Sequence, residues 1–259
     1  MEWSEAIDEQ IATVPNTIPV DEALIRRVVG LVDLTRLNSS DTQESVAAFL
    51  EKANTQHGPV ASVCVYPQFA RLAVAQMDGS KVKVGTVANF PQGAQSLDDV
   101  LVQMGSAIED GVNEIDVVFP YERYLAGERH YAHTFVEACK AVCGDKVTLK
   151  VILETGALSD PAIIADAAYD VLAAGADFIK TSTGKDIEGA TLQAAATMLL
   201  VIRHIEPQLK HHVGMKVSGG IRDMQTAAQY IALADNIMGR EWVSAKTFRI
   251  GASKLVENL

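Results

Sequence analysis

Two lysines in this chain stand in the middle of short apolar segments. Lys180 lies in the run Asp-Phe-Ile-Lys-Thr-Ser-Thr-Gly-Lys (177–185), and Lys216 lies in the run Val-Gly-Met-Lys-Val-Ser-Gly-Gly (213–220). Each run has the composition of a buried strand that ends in a glycine turn. Burial disfavours the charged form of an amine and lowers its pKa. A neutral lysine amine is a nucleophile that can form a Schiff base with a carbonyl compound.

Either lysine alone has a simpler interpretation, in which its side chain reaches water from the end of a strand. Two lysines in similar apolar segments favour a different interpretation, in which both amines lie in one cavity. Two amines in one cavity lower each other's pKa by repulsion, in addition to the effect of burial. One lysine is then the nucleophile, and the other adjusts its pKa.

The rest of the chain alternates between short apolar segments and segments with apolar residues at helical spacing. The predicted strands are 31–37, 59–66, 82–90, 114–119, 147–153, 177–182, 213–218 and 234–238. The predicted helices are 21–30, 41–54, 68–77, 96–110, 129–143, 160–174, 190–206 and 223–233. Eight such units without a linker between them predict an α/β fold, a single TIM (β/α)8 barrel.

The start of the chain differs from these repeating units. Apolar residues between Trp3 and Val14 have helical spacing, and Pro15 and Pro19 end the segment. We therefore divide the chain into a short N-terminal helical extension (1–20) and a barrel domain (21–259).

A TIM barrel carries its active groups at the C-terminal ends of its strands. The two-residue period of a strand directs Asp116, Lys180 and Lys216 into the lumen of such a barrel. Asp116 then has two interpretations of equal weight. It is either a structural partner that neutralises a lysine, or an acid/base that moves protons together with a bound water.

Glycines follow the last predicted strands. Gly184, the pair Gly219 and Gly220, and the segment Gly251-Ala252-Ser253 lie where TIM barrels often hold a phosphate on backbone N–H groups. Ser253 is predicted to cap a final helix. A turn can need glycine without any ligand, so phosphate binding and plain turns are equal alternatives.

Composition limits the classes of function. The net charge of −11 argues against binding nucleic acid or anionic membranes through bulk charge. The chain has no apolar run of transmembrane length and no signal-peptide pattern, so we expect a cytoplasmic protein. The three cysteines are expected to be free thiols, and the six histidines lack metal-site spacing.

Eight motifs, in order, resemble those of deoxyribose-phosphate aldolase, and the resemblance extends from about residue 25 to the end. They are VDLTRLN (32–38), CVYP (64–67), ANFPQG (88–93), EIDVVFPY (114–121), LKVILETG (149–156), DFIKTSTGK (177–185), VGMKVSGGIR (213–222) and FRIGAS (248–253). So many ordered matches make the resemblance specific.

The resemblance implies a TIM barrel that reversibly cleaves 2-deoxy-D-ribose 5-phosphate to D-glyceraldehyde 3-phosphate and acetaldehyde, in deoxyribose phosphate catabolism. Lys180 matches the family's Schiff-base lysine, Lys216 the lysine that perturbs it, and Asp116 the proton-relay acid. The family implies no metal ion, no organic cofactor, small-molecule substrates and a homodimer. By position, the phosphate would lie on Gly184, Lys185, Gly219, Gly220 and Ser253, and the pocket would be lined by Asp33, Thr35, Cys64 and Phe90.

Some alternatives stay open at this point. Lys185 could be a solvated loop lysine, and ordinary lumen packing explains the four pocket-lining residues equally well. A different lysine-dependent barrel enzyme, such as a transaldolase, is one rival. A phosphosugar-binding barrel without catalysis is another, although binding alone gives no reason to bury two cations that repel each other.

Overall fold

Eight parallel strands close into a barrel in the computed structural model of the chain, which describes residues 3–185, 187–209 and 211–257 and, for Trp3, only the backbone. The barrel strands are β1 (Val32–Arg36), β4 (Ser62–Val65), β5 (Lys83–Ala88), β6 (Glu114–Val118), β7 (Thr148–Ile152), β8 (Phe178–Lys180), β9 (Gly214–Ser218) and β10 (Phe248–Ala252). The two other strands, β2 (Asn54–Thr55) and β3 (Gly58–Pro59), pair with each other as a separate hairpin. The predicted TIM (β/α)8 barrel is confirmed.

Helices connect the strands on the outside of the barrel. They are α1 (Trp3–Ala12), α2 (Glu22–Val29), α3 (Gln43–Leu50), α4 (Ala70–Met77), α5 (Leu97–Glu109), α6 (Tyr121–Leu125), α7 (Arg129–Cys143), α8 (Thr155–Leu158), α9 (Pro161–Ala173), α10 (Leu192–Ile205) and α11 (Met224–Met238). Several begin after a residue whose side-chain oxygen accepts a backbone N–H of the first turn, which fixes where the helix starts. These capping residues are Asp21, Thr42, Ser96, Asp160, Thr191 and Asp223.

The prediction of a last strand at 234–238 is wrong. This segment is the final turn of α11, where Ile231, Ala234 and Ile237 are buried at spacings of three residues. A short apolar run does not distinguish a strand from the buried face of a helix. The eighth barrel strand is β10, which pairs with β9 on one side and closes the barrel on β1.

Helix α1 packs on the outside of the barrel, chiefly against α10 and also against α9 and α11. Ile7 of α1 is fully buried there. Most residues of α10 are buried, because the barrel covers one side of this helix and α1 covers another. No helix in the described ranges has the length and apolar character needed to cross a bilayer.

Candidate active site

Three charged side chains from three strands of the barrel meet inside it. The Nζ atoms of Lys180 and Lys216 lie 2.9 Å and 2.8 Å from the same oxygen, Oδ2 of Asp116. The exposed fraction is 2% for Lys180 and 0% for both Asp116 and Lys216. Strands β6, β8 and β9 thus bring together the three groups whose parity along the sequence directs them inward.

Lys180 has the electrostatics expected of a nucleophile. Burial lowers its pKa most, the carboxylate of Asp116 raises it, and the ammonium of Lys216 lowers it again. The net result is a pKa below the ordinary lysine value. A larger fraction of this amine is therefore neutral and able to attack a carbonyl carbon than in an ordinary lysine.

Lys216 behaves in the opposite way, so the prediction that each lysine lowers the other's pKa is wrong for this residue. Burial lowers the pKa of Lys216, but the carboxylates of Asp116 and Asp33 outweigh it and leave the pKa raised. Its Nζ lies 2.7 Å from Asp33 Oδ2, in an ionic contact that lacks the angle of a hydrogen bond. Lys216 therefore stays charged beside Lys180.

Three further buried charges belong to the same arrangement, and the sequence analysis missed them. The ammonium of Lys150 contacts Glu114 Oε2 and lies 3.1 Å from Asp116 Oδ1. The guanidinium of Arg249 lies 2.6 Å from Asp33 Oδ1 and 2.8 Å from Glu114 Oε1. The available signal was the same as for Lys180, a charge inside an apolar strand. Glu114 also stands two residues before Asp116, on the same face of β6.

We call these seven side chains the buried cluster. Its members are Asp33, Glu114, Asp116, Lys150, Lys180, Lys216 and Arg249, and each is at most 6% exposed. Burial raises the pKa of Asp33 and Asp116, but the neighbouring cations outweigh it and hold both values well below the usual range. Four basic groups thus share three carboxylates. The cluster is neutral when one basic group gives up its proton, and Lys180 is the lysine of the cluster whose pKa is lowered.

A cavity of about 330 Å³ opens from Lys180 to solvent. It is lined by all five residues to which the phosphate was assigned, namely Gly184, Lys185, Gly219, Gly220 and Ser253. Four cations line it, and we call them the cationic mouth: Arg36, Lys185, Arg222 and Lys254. A cavity of this size holds a small organic molecule, and its charge favours an anionic one.

The glycine turns fit an anion-binding role. The backbone N–H groups of Gly219, Gly220 and Ser253 donate to no acceptor in the part of the chain that the structure describes. Gly219 has a φ of 88°, and a Cβ there would lie 2.8 Å from the Cα of Gly189. Only glycine allows this turn and this close approach, which leave the backbone facing the cavity.

The prediction that Ser253 caps a final helix is wrong for the described residues. After Ala252 the chain forms a turn, in which the N–H of Glu257 donates to the carbonyl of Lys254 over 3.1 Å. Starting a helix fixes several residues for one hydrogen bond, and residues 253–257 form a bend and a turn but no helix. Any attraction of an anion to Ser253 thus comes from local N–H groups and cations, not from a helix dipole.

Comparisons with known proteins agree with this geometry. The family described as DeoC/LacD family aldolase matches residues 27–244, which is most of the chain. The chain belongs to this family.

Solved structures resemble this family member over nearly its whole length. One from Coccidioides immitis, provisionally named a deoxyribose-phosphate aldolase, is 27% identical with a TM-score of 0.78 and covers 99% of this chain and 96% of its own. One from Toxoplasma gondii ME49, named in the same way, is 27% identical with a TM-score of 0.83 and covers 92% and 93%. The tetrameric deoxyribose phosphate aldolase from Aeropyrum pernix is 23% identical with a TM-score of 0.74, covers 98% and 97%, and supports the fold alone.

Lys185 of this DeoC/LacD family member reaches across the mouth of the barrel. Its Nζ donates to the carbonyl of Leu37, which follows β1, whereas Lys185 itself follows β8. Lys185 is nevertheless exposed, so both of its predicted roles, phosphate binding and a solvated loop lysine, stay predictions.

The four residues predicted to line the pocket occupy different places. Thr35 lines the cavity, whereas Asp33 lies in the buried cluster beneath it. Cys64 and Phe90 belong to a small apolar group beside the lysines. Burial first, and then the carboxylate of Asp116, raises the pKa of the Cys64 thiol to about 11.

Proposed function

We propose that this chain is a deoxyribose-phosphate aldolase that cleaves 2-deoxy-D-ribose 5-phosphate through a Schiff base on Lys180. One observation carries the proposal. Lys180 lies between the buried cluster and the cavity. The cluster favours the neutral form of its amine, and the other walls of the cavity carry free N–H groups and the cationic mouth. An aldehyde with a phosphate at its far end matches both halves of this arrangement.

The first steps form the imine. The neutral amine of Lys180 adds to the aldehyde carbon C1, and the resulting carbinolamine loses water to give a protonated imine. The charged Lys216, 2.8 Å from Asp116, is a proton source for the departing hydroxide. Asp116 accepts hydrogen bonds from both lysines and keeps them aligned during this exchange.

The protonated imine then acts as the electron sink for bond cleavage. Loss of the proton from the C3 hydroxyl sends the electrons of the C2–C3 bond into an enamine and releases D-glyceraldehyde 3-phosphate. We assign this proton to the released water together with Asp116. Protonation of C2 and hydrolysis of the imine then release acetaldehyde and regenerate Lys180. This sequence requires no metal ion and no organic cofactor.

The phosphate of the substrate is assigned to the other end of the cavity. Backbone N–H groups of Gly219, Gly220 and Ser253 would bind its oxygens, and Lys185 would exchange the carbonyl of Leu37 for the phosphate. This binding holds the reacting carbonyl near Lys180, because the phosphate and the aldehyde are parts of one molecule.

A direct assay tests the proposal. The protein is incubated with 2-deoxy-D-ribose 5-phosphate, and both acetaldehyde and D-glyceraldehyde 3-phosphate are quantified, with Lys180→Met as the control. We expect equal amounts of both products from the unsubstituted protein and none from the variant. Activity on a ketose phosphate but not on deoxyribose 5-phosphate would replace this substrate with that of another lysine-dependent aldolase. Binding without turnover of either substrate would support a phosphosugar-binding barrel.

The assembly is a separate proposal. We propose a homodimer, as the resemblance implies, and expect sedimentation at micromolar concentration to give twice the mass of the chain. A monomer or a tetramer would contradict it.

A further inference from the structure

Lys150 is buried beneath the cavity and is enclosed by carboxylates. Its Nζ contacts Glu114 Oε2 and lies 3.1 Å from Asp116 Oδ1 and 3.4 Å from Asp33 Oδ2. In the β6–β7 pairing, Lys150 stands directly beside Asp116. It is 1% exposed and does not line the cavity, so it cannot touch a substrate bound there.

Asp116 divides its two oxygens among three ammonium groups. Oδ1 faces Lys150, and Oδ2 faces both Lys180 and Lys216. In a dry interior the attraction between two charges is strong, and each additional cation on a shared carboxylate also repels the others. The hold of Asp116 on the proton of Lys180 therefore depends on whether Lys150 occupies the other oxygen.

We propose that Lys150 is a positioning residue for the nucleophile: by occupying Asp116 Oδ1 it weakens the pairing of Asp116 with Lys180 and keeps the Lys180 amine available for attack. This inference rests on the proposed Schiff-base function. It assigns to Lys150 an effect that reaches Lys180 through Asp116, distinct from the direct repulsion by Lys216.

The other charged or titratable groups around Lys180 do not substitute for Lys150. Lys216 and the Cys64 thiol act on Lys180 directly, and Glu154 acts on it more weakly from the mouth of the barrel. Among the described carboxylates, Arg249 pairs with Asp33 and Glu114 and not with Asp116. Lys150 is the described side chain that contacts both Glu114 and Asp116.

Substitutions that remove a positive charge and substitutions that remove a negative charge from the buried cluster should therefore shift the proton affinity of Lys180 in opposite directions. Lys150→Met removes a positive charge and leaves Asp116 to Lys180 and Lys216, so the proton of Lys180 is held more tightly. Glu114→Gln removes a negative charge and lets Lys150 bind Asp116 more closely, so the proton is held less tightly. Lys150→Arg keeps the positive charge beside Asp116. The proton of Lys180 should therefore be held almost as weakly in this variant as in the unsubstituted protein.

The test measures the pH dependence of kcat/KM on 2-deoxy-D-ribose 5-phosphate and of the rate at which borohydride traps the acetaldehyde imine. The acid limb of kcat/KM reports the ionisation of the free enzyme. We expect Lys150→Met to move this limb up by about one pH unit, which lowers kcat/KM about tenfold on the limb. Glu114→Gln should move it down. Lys140→Met, which removes a lysine paired with Asp177 on the outside of the barrel, should leave it in place.

The possible results separate this inference from the function on which it rests. An equal loss of activity at every pH in Lys150→Met, with an unmoved acid limb, would show a merely structural role and overturn the inference alone. If Lys150→Met does not fold, the inference is tested with three other variants: Lys150→Arg, Glu114→Gln and the double variant Lys150→Met/Glu114→Gln. A downward shift in Glu114→Gln supports the inference, and no shift overturns it. No trapped imine in the unsubstituted protein would remove the proposed function and this inference with it.

Discussion

The buried cluster and the cationic mouth both carry an excess of basic groups, yet their surroundings differ. In the buried cluster four basic groups share three carboxylates at contacts of at most 3.4 Å, away from water. In the cationic mouth the charges face an open cavity, where solvent and salt screen them. In the proposed function the same sign of charge therefore serves proton chemistry in one region and attraction of an anion in the other.

The cationic mouth contrasts with the negative net charge of the whole chain. The chain as a whole has a net charge of −11. Arg36, Lys185, Arg222 and Lys254 nevertheless line a single cavity, in which Glu257 is the one acidic lining residue among those that the structure describes. A surface of random composition from this chain would be acidic. The concentration of cations at the cavity thus points to an anionic substrate.

The largest expected effect concerns Asp116, the carboxylate shared by three lysines. Asp116→Asn removes one partner from each of Lys150, Lys180 and Lys216 and leaves four buried basic groups with only two carboxylates, Asp33 and Glu114. We expect kcat to fall about a thousandfold, because proton transfer is lost. We also expect the free energy of unfolding to fall by about 3 to 5 kcal/mol. Steady-state kinetics and urea unfolding measure the two effects, and a variant that keeps a tenth of the activity would contradict the account.

A change in the cationic mouth should affect binding and not chemistry. Lys185→Met should raise KM for deoxyribose 5-phosphate about tenfold, as expected for the loss of one charge-assisted hydrogen bond, and leave kcat nearly unchanged. Turnover of unphosphorylated 2-deoxyribose should not change. Lys52→Met, which removes a lysine paired with Glu257 near the mouth, is the matched control. An equal loss with both substrates would place Lys185 in the chemical step instead.

The smallest expected effect is a gain of stability. Lys180→Met leaves three carboxylates with three cations, so we expect the free energy of unfolding to rise by about 1 kcal/mol at neutral pH. Because the folded-state pKa of Lys180 is lowered, the unfolded chain binds more protons between that value and the ordinary 10.5. Stability of the unsubstituted protein should therefore rise with pH in this window, and the variant should lose that contribution. Thermal unfolding of both proteins from pH 7 to 10 measures it, and a destabilised variant would contradict the account.

Much of the fold was predictable, because strands and helices leave different periods in the sequence. The predicted strand 114–119 is observed as Glu114–Val118, and the predicted helix 129–143 has the observed bounds. The inward direction of Asp116, Lys180 and Lys216 followed from the two-residue period alone. The last strand was misplaced because 234–238 is apolar at spacings that suit either a strand or a helix. That error also hid the inward position of Arg249.

The electrostatics of the site were less predictable. The sequence places Lys180 and Lys216 in similar segments, which suggests similar pKa shifts. The structure separates them, because Lys216 contacts a second carboxylate, Asp33, from a distant part of the chain. Contacts of this kind arise from the closure of the barrel, where β10 pairs with β1. Local sequence patterns do not contain that information.

The central claim is that Lys180 is the nucleophile, and borohydride trapping tests it most directly. The protein is incubated with acetaldehyde, reduced with borohydride, digested, and its peptides are mapped by mass. The account predicts an ethyl adduct on Lys180 in the unsubstituted protein and no such adduct in Lys180→Met. An adduct on Lys216 or Lys185, or none at all, would contradict it.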